Sequence, residues 1–490
     1  MKYLIIYIFC SVISLMLFFI AVDAEYKRVC YYSNWSQYRP GRGSFKPKDI
    51  NPSLCTHLVY AFARLSGNGL ATLEWNDAQF YKTFNGLKTT YPSLRTLIAV
   101  GGWNEGSLRF STIVSLAENR REFASNTVQF IRQYGFDGFD IDWEYPVSRG
   151  GSLSDYQNFI LLLQELQQMF EEEAVRTGKE RLLLTAAVAA GKNTIDVSYD
   201  IPGMTRYLDF ISLMSYDFHG SWEKTTGHNS PLYKRSGEQG DLAYLNVQAA
   251  ANYWITKGCP SKKLIIGLPT YGRSFTLADP NKWGMGEPAS GVGPAGSFTR
   301  EAGVLSYYEI CEIMASGRGK RYWNSEQMVP YYVQGTTWVG YDDKESFTIK
   351  LKWIKESGYG GAMIWNLDLD DFNGSFCAGP PFPLTRLLNV YLMDDSRSTT
   401  TLKTTRTRIP KTSHFTTRRT TDPRKNITTT TTQANAGFCR GKSDGLHPDL
   451  RNCTHFYNCF QGRGSRITCP TGTLFNRDRS YCDWPYNVKC

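Results

Sequence analysis

Between Val29 and Trp365 the chain carries eight short β-rich runs, each set off from the next by a longer stretch of different patterning. They read VCYYS from Val29, THLVYAF from Thr56, RTLIAV from Arg95, FDGFDID from Phe136, LLLTAAV from Leu182, FISLMS from Phe210, KLIIGLP from Lys263 and GAMIW from Gly361. Runs this apolar suit strands covered on both faces, as parallel strands are when helices connect them. Asp155 to Ala174, with Phe159, Leu163, Leu166 and Phe170 on one face, has the spacing of such a connecting helix. Eight strand-and-helix units over roughly 350 residues favour a closed (β/α)8 TIM barrel over an open doubly wound sheet. One interval is too long for a crossover, since the seventh run ends near Thr270 and the eighth starts at Gly361. Its short apolar runs and many glycines predict an inserted α+β subdomain at about 272–341.

The fourth run continues as GFDGFDIDWEYP, Gly135 to Pro146, and sets four carboxylates among large apolar side chains. On a strand, Asp140, Asp142 and Glu144 share one face while Phe139, Ile141 and Trp143 share the other. A row of like charges with no base in the segment costs stability unless something uses it. The barrel gives the row a place, with Asp140 deepest and Glu144 at the carboxyl-terminal mouth, where barrel enzymes do their chemistry. There a neighbouring acid and desolvation should raise the Glu144 pKa into the range of a general acid. Asp137 falls outside the alternation and is expected to bond the strand's start.

The two ends of the chain have other chemistry. Lys2, the apolar run YLIIYIFCSVISLMLFFIAV and the small residues of Val22-Asp23-Ala24 read as a secretion signal, residues 1–24, rather than as a membrane anchor. The remaining cysteines then belong to an oxidising compartment. Five are dispersed before residue 394 and six crowd into the last 52 residues, which implies two domains, at 25–393 and 437–490. Between them, 394–436 reads as a linker: 16 of the 34 residues from Thr399 to Thr432 are Thr, and nothing there can build a core. The net charge of +10 divides into +8 from Ser396 to Phe438, +4 from Cys439 onward and −2 for everything before. The basic balance therefore gives the main domain no reason to bind nucleic acid.

Further motifs surround the acids. LIAVGGWN from Leu97, MSYDFHGSW from Met214, GLPTYGRSF from Gly267 and GGAMIWNLDLDDF from Gly360 each close one of the predicted strands. With D-x-x-D-x-D-x-E at Asp137, Asp140, Asp142 and Glu144, they make the chain resemble the family 18 glycoside hydrolases, the animal chitinases in particular, from about Tyr26 to Met393. The resemblance implies an endochitinase-type enzyme that cleaves β-1,4-linked N-acetylglucosamine polymers with retention. In that mechanism the sugar's own 2-acetamido carbonyl attacks the anomeric carbon and forms an oxazolinium ion. It implies Glu144 as acid and then base, Asp142 turned toward the acetamido group, and Asp140 coupled to Asp142 through a shared proton. Tyr216 and Asp217 would bond the acetamido group and the sugar, and Met214 would line the pocket. Trp365 would form the floor under the cleavage point, with Trp35, Gly102, Trp103 and Trp222 along the cleft and Tyr145, Tyr271 and Arg273 walling it. Arg273 can equally be a structural ion-pair partner. A relative that had lost the acid would be a chitin-binding lectin, and Glu144 is present here. Cleavage of other N-acetylglucosamine glycans is a further reading.

Near the C-terminus, Cys439, Cys453, Cys459, Cys469, Cys482 and Cys490 leave intervals of 13, 5, 9, 12 and 7 residues. A domain this small needs staples, and without a C-x-x-C pair disulfides are favoured over zinc. The pattern resembles the peritrophin-A chitin-binding domain, which implies pairing of Cys439 with Cys459, Cys453 with Cys490 and Cys469 with Cys482. Phe456, Tyr457, Phe475 and Trp484 form either its small core or its sugar-stacking face, with Trp484 taken as the contact. In the main domain the family likeness pairs Cys30 with Cys55 and Cys311 with Cys377, and leaves Cys259 as a buried thiol. Sequons at Asn373, Asn426 and Asn452 could carry glycans, whereas Asn34 adjoins Trp35, an awkward place for one. The expected partners are chitin and chitooligosaccharides, with no metal, cofactor, nucleic acid or, after signal removal, membrane; a secreted monomer is expected.

Overall fold

The computed structural model describes residues 26–393 and, nearer the C-terminus, 438–442, 445–460, 463–469, 474–477, 481–483 and 488. The signal segment, the whole linker 394–436 and Trp484 lie outside the described residues. The chain divides into two units, Met1–Asp394 and Asp395–Cys490.

In the first unit eight parallel strands close on themselves: β1 (Lys27–Ser33), β2 (His57–Leu65), β3 (Arg95–Gly101), β4 (Gly138–Asp142), β5 (Leu183–Ala189), β6 (Phe210–Met214), β7 (Leu264–Pro269) and β8 (Gly361–Trp365). Each pairs with the next, and β1 pairs with both β2 and β8, so no barrel edge is left open. Strand alternation sorts the core into two shells. Val29, Tyr31, Val59, Leu97, Ile265 and Met363 fill the barrel, while Cys30, Tyr32, Leu58, Ile98, Phe139 and Ile364 pack outward with the helices. The helix expected at Asp155 spans Asp155–Thr177 and buries Phe159, Leu163, Leu166 and Phe170. Gly178, in the left-handed conformation at φ 67°, closes it.

One unit departs from the expected repeat. Among the described residues no α-helix follows β1; four single-turn 3-10 segments run from Asn34 to Leu54 instead. Pro40, Pro47 and Pro52 break any longer helix there. The Cys30–Cys55 disulfide (S–S 2.02 Å) ties the segment's two ends together.

Thr270 alone separates β7 from Tyr271–Leu277, the central strand of the insertion. That strand pairs antiparallel with Ala289–Val292, Val304–Ser306 and Thr337–Gly340, and the sheet continues through Val329–Gln334 to Lys320–Asn324. A helix at Tyr307–Ala315 covers it. The Cys311–Cys377 disulfide joins that helix to the segment after β8. Cys259 is a buried free thiol.

The second unit has a three-stranded antiparallel sheet (Gly445–Pro448, His455–Phe460, Arg463–Thr468) and a two-stranded one (Leu474–Asn476, Tyr481–Asp483). Phe456 and Phe475 stack with ring centres 4.6 Å apart and are buried with Cys469, so these two rings are core. Tyr457 stacks instead on Phe438 at 3.8 Å. Cys439 and Cys459 are joined as expected; Cys453 and Cys469 each take part in a disulfide, and Cys490 lies outside the described residues.

Candidate active site

The acid row runs up β4 into the mouth. Asp140 and Asp142 are buried, and Glu144, two residues past the strand, is half-buried. Trp143 points the other way and stacks on Phe110 at 5.0 Å among the helices. Asp137 sits below the row, where it accepts from the Lys88 ammonium (2.9 Å), the Thr96 amide (2.8 Å) and the Thr96 hydroxyl (3.1 Å).

The environments of the three inner acids differ. Asp140 receives the Tyr31 hydroxyl at 2.7 Å and the Thr185 hydroxyl on its other oxygen. Burial still pushes its carboxyl up to about 6. Asp142 receives no donor among the described residues, and its buried Oδ1 has no partner. Burial, then repulsion from Glu144 and Asp140, drives it well above the usual carboxylate range. Burial pushes Glu144 up to about 7, with Asp217 adding to the rise while the Tyr145 hydroxyl and Arg149 pull against it. Desolvation is thus the larger cause throughout, and like charge the smaller.

Two glycines let β3 approach this row. Gly101, at φ 114°, has no room for a side chain, because a Cβ would fall 1.9 Å from the Asp142 carbonyl oxygen. The Gly102 amide donates to that same oxygen at 2.7 Å. Beyond them Trp103 is exposed, and the Arg149 guanidinium lies 3.7 Å from its ring centre while donating to the Glu144 carbonyl at 2.9 Å.

On the opposite side Trp365, half-buried at the end of β8, meets Tyr31 at 5.3 Å, Phe62 at 6.1 Å and Trp35 at 6.4 Å. Tyr216 is buried, with its hydroxyl only 3.9 Å from the Met363 sulfur, and Met214 packs in the same cluster. Asp217 takes the positive φ of 56°, and its Oδ1 accepts from the Tyr271 hydroxyl and Arg273 Nε, both at 2.7 Å. Arg273 is therefore an ion-pair partner, and it also lies 5.2 Å from the exposed Trp222 ring. Trp35, Asp217, Tyr271, Arg273 and Trp365 share a cavity of about 410 Å³ with Tyr38, Arg39, Asn366 and the insertion loop Phe298–Glu301.

Several of these neighbours escaped the sequence reading. Tyr31 could have been found from the alternation of β1, and Arg149 from its place five residues after the acid. Phe62, Asn229 and the Phe298–Glu301 loop carry no local signal. Asn229 is buried and holds the Asp217 amide at 2.9 Å and the Tyr271 carbonyl at 3.0 Å. Asn34 is buried, with its amide spent on the Phe62 carbonyl (3.1 Å) and Asp77 (3.2 Å), which leaves no nitrogen for a glycan. Asn373 and Asn452 are exposed, and Asn426 lies outside the described residues.

A closed parallel barrel with an inserted α+β subdomain, an acid row on its fourth strand and indoles around the mouth defines a chitinase-like architecture. Residues 27–370 match the glycosyl hydrolases family 18 and residues 439–490 the chitin binding peritrophin-A domain, so the chain belongs to family 18 and carries a chitin-binding module. It is similar to chitotriosidase-1 of Mus musculus, 45% identical over 94% of this chain and 95% of that protein. A chitinase from Trichuris suis superposes with a TM-score of 0.73 at 46% identity, covering 75% of this chain and 100% of that one. Human YKL-39, described as a pseudo-chitinase with retained chitooligosaccharide binding, superposes with a TM-score of 0.72 at 44% identity, covering 75% and 99%.

Proposed function

We propose that this protein is a secreted chitinase that hydrolyses β-1,4-linked N-acetylglucosamine chains with retention by substrate-assisted catalysis. The observation that carries the reading is the contrast within the row: a half-buried Glu144 raised to about 7 above a buried Asp142 that no group satisfies. Glu144 protonates the leaving oxygen as the acetamido carbonyl closes on the anomeric carbon, and then takes a proton from the water that opens the oxazolinium ion. Asp142 accepts the acetamido N–H, which gives its orphaned oxygen a partner, and Asp140 exchanges a proton with it. Tyr216, whose hydroxyl meets only the Met363 sulfur among the described residues, bonds the acetamido carbonyl. Asp217 is already held by Tyr271 and Arg273 and contacts the sugar from a fixed position. Trp35, Trp103, Trp222 and Trp365 offer flat faces to the sugars' C–H faces, and the C-terminal module keeps the enzyme on insoluble polymer.

Chitooligosaccharide binding without hydrolysis is the second reading, favoured by the likeness to YKL-39. Both readings meet one assay. Glu144→Gln should lower kcat on chitohexaose by about 10²–10⁴ while oligosaccharide affinity, measured by calorimetry, stays. Turnover that survives the substitution sinks the mechanism, and a wild-type chain that binds but never cleaves establishes the second reading. A chain ending at Met393 that binds insoluble chitin as well as the full chain would remove the role given to the module.

A further inference from the structure

Glu309 lies in the first turn of the insertion's helix Tyr307–Ala315, 2% exposed. Its Oε1 accepts from the backbone N–H of Phe298 (2.7 Å) and Thr299 (2.8 Å). Its Oε2 accepts from the Thr299 hydroxyl (2.8 Å), the Ser306 N–H (2.9 Å) and the Ser306 hydroxyl (3.0 Å). The bonds to Ser306 form the capping box of the helix, and they account for the Ser306 partner alone. Those to Phe298 and Thr299 reach out of the helix and grip a loop.

That loop is a partition. Phe298, Thr299, Arg300 and Glu301 wall the 410 Å³ cavity. Just before them, Pro294 to Ser297 border a second cavity of about 290 Å³, which Glu309 also lines. Packing holds one end of the loop, where the Phe298 ring meets Tyr308 at 5.6 Å and Phe376 at 5.3 Å, and the buried carboxylate anchors the backbone of Phe298 and Thr299. Gly296 fits this arrangement, since a Cβ there would come within 2.5 Å of the carboxylate oxygens. Asp217 and Trp365 line the larger cavity but Asp142 and Glu144 do not, so it begins beside the cleavage point and extends from there to the loop.

We infer that Glu309 is a positioning residue for long substrates: without touching sugar, it fixes the Phe298–Glu301 wall against which the distal part of a β-1,4 N-acetylglucosamine chain is bound. The inference rests on the proposed function and deepens it from substrate class to chain length. A side chain that acts this way changes how much a long chain gains over a short one and leaves the reacting centre alone.

Glu309→Gln keeps the shape but turns one acceptor oxygen into a donor, so in either orientation at least two of the five donors lose their acceptor. In the full chain, KM for chitohexaose should rise on the order of tenfold with kcat kept. Both constants should change by less for a nitrophenyl chitobioside, whose two sugars must sit beside Glu144 to react and reach less of the wall. Hydrogen exchange over 298–301 should quicken while the barrel strands keep their protection. Thr299→Val, which removes one donor and buries no new charge, should move the same quantities in the same direction by less, and it decides the matter if Glu309→Gln does not fold. Equal losses on both substrates, or no change on the long one, overturn the inference. A wild-type chain that cleaves neither substrate overturns the proposed function instead, and the exchange experiment, which needs no sugar, still decides whether Glu309 holds the loop.

Discussion

Two acid-rich stretches at the barrel mouth are largely buried, and one carboxylate in them is held unlike the rest. After β8, Asp368 accepts from the Ser33 hydroxyl at 2.9 Å and pairs with Arg39 at 2.7 Å. Asp370 takes the Thr385 amide at 2.9 Å and the Thr385 hydroxyl at 2.8 Å, and Asp371 the Cys377 amide at 2.8 Å. On β4, Asp140 is held by the Tyr31 and Thr185 hydroxyls, but among the described residues Asp142 takes no donor on either oxygen, and it faces two more acids. Composition makes the stretches look alike, and partner geometry separates them. A carboxylate with donors on at least one oxygen, as Asp371 has on Oδ2 alone, staples a loop, whereas one with none marks where a ligand supplies the missing donor.

Substitutions should sharpen that division. Asp142→Asn removes an acid that the fold does not satisfy: turnover should drop by about 10²–10³, while the melting temperature holds or rises. A fall in both would mean Asp142 is another staple. Asp370→Asn should do the reverse, with kcat intact and about 1–3 kcal/mol of unfolding free energy lost as its donors go unmatched, read by chemical denaturation. Asp137→Asn, with a partly exposed Lys88 partner, should cost only about 1 kcal/mol and no activity, although it belongs to the same motif.

The pH dependence follows from the same row. Glu144 can deliver a proton only while protonated, so kcat/KM should decline about tenfold per unit above its value of about 7. For stability the sign is set by carboxyls raised in the native state, which keep protons the unfolded chain has released. The row's contribution is then fully present below roughly pH 4 and lost as pH rises through about 6 for Asp140 and about 7 for Glu144. Asp142→Asn should flatten that slope. A stability profile in which the substitution changes nothing between these values would separate the row from the titration.

The strands and the acid row were readable because their signals are local: β-rich runs, a two-residue period, and motifs at strand ends. What was not readable depends on partners far apart in the chain. Phe62 looks like one more strand aromatic until β1 and β8 bring Trp35 and Trp365 against it. Arg273 could not be assigned until it met Asp217, 56 residues earlier. The missing helix after β1 was legible in its prolines, but the regular eightfold alternation outweighed them.

The single residue between β7 and the insertion's central strand has a consequence for protein engineering. Tyr271 and Arg273 lie on that strand and hold Asp217 of the barrel, so the inserted subdomain is not a cassette. A chimera that exchanged it at its sequence borders would also exchange part of the barrel's own site. Transplants of this region between relatives should therefore carry the stretch from Met214 to Trp222 with them.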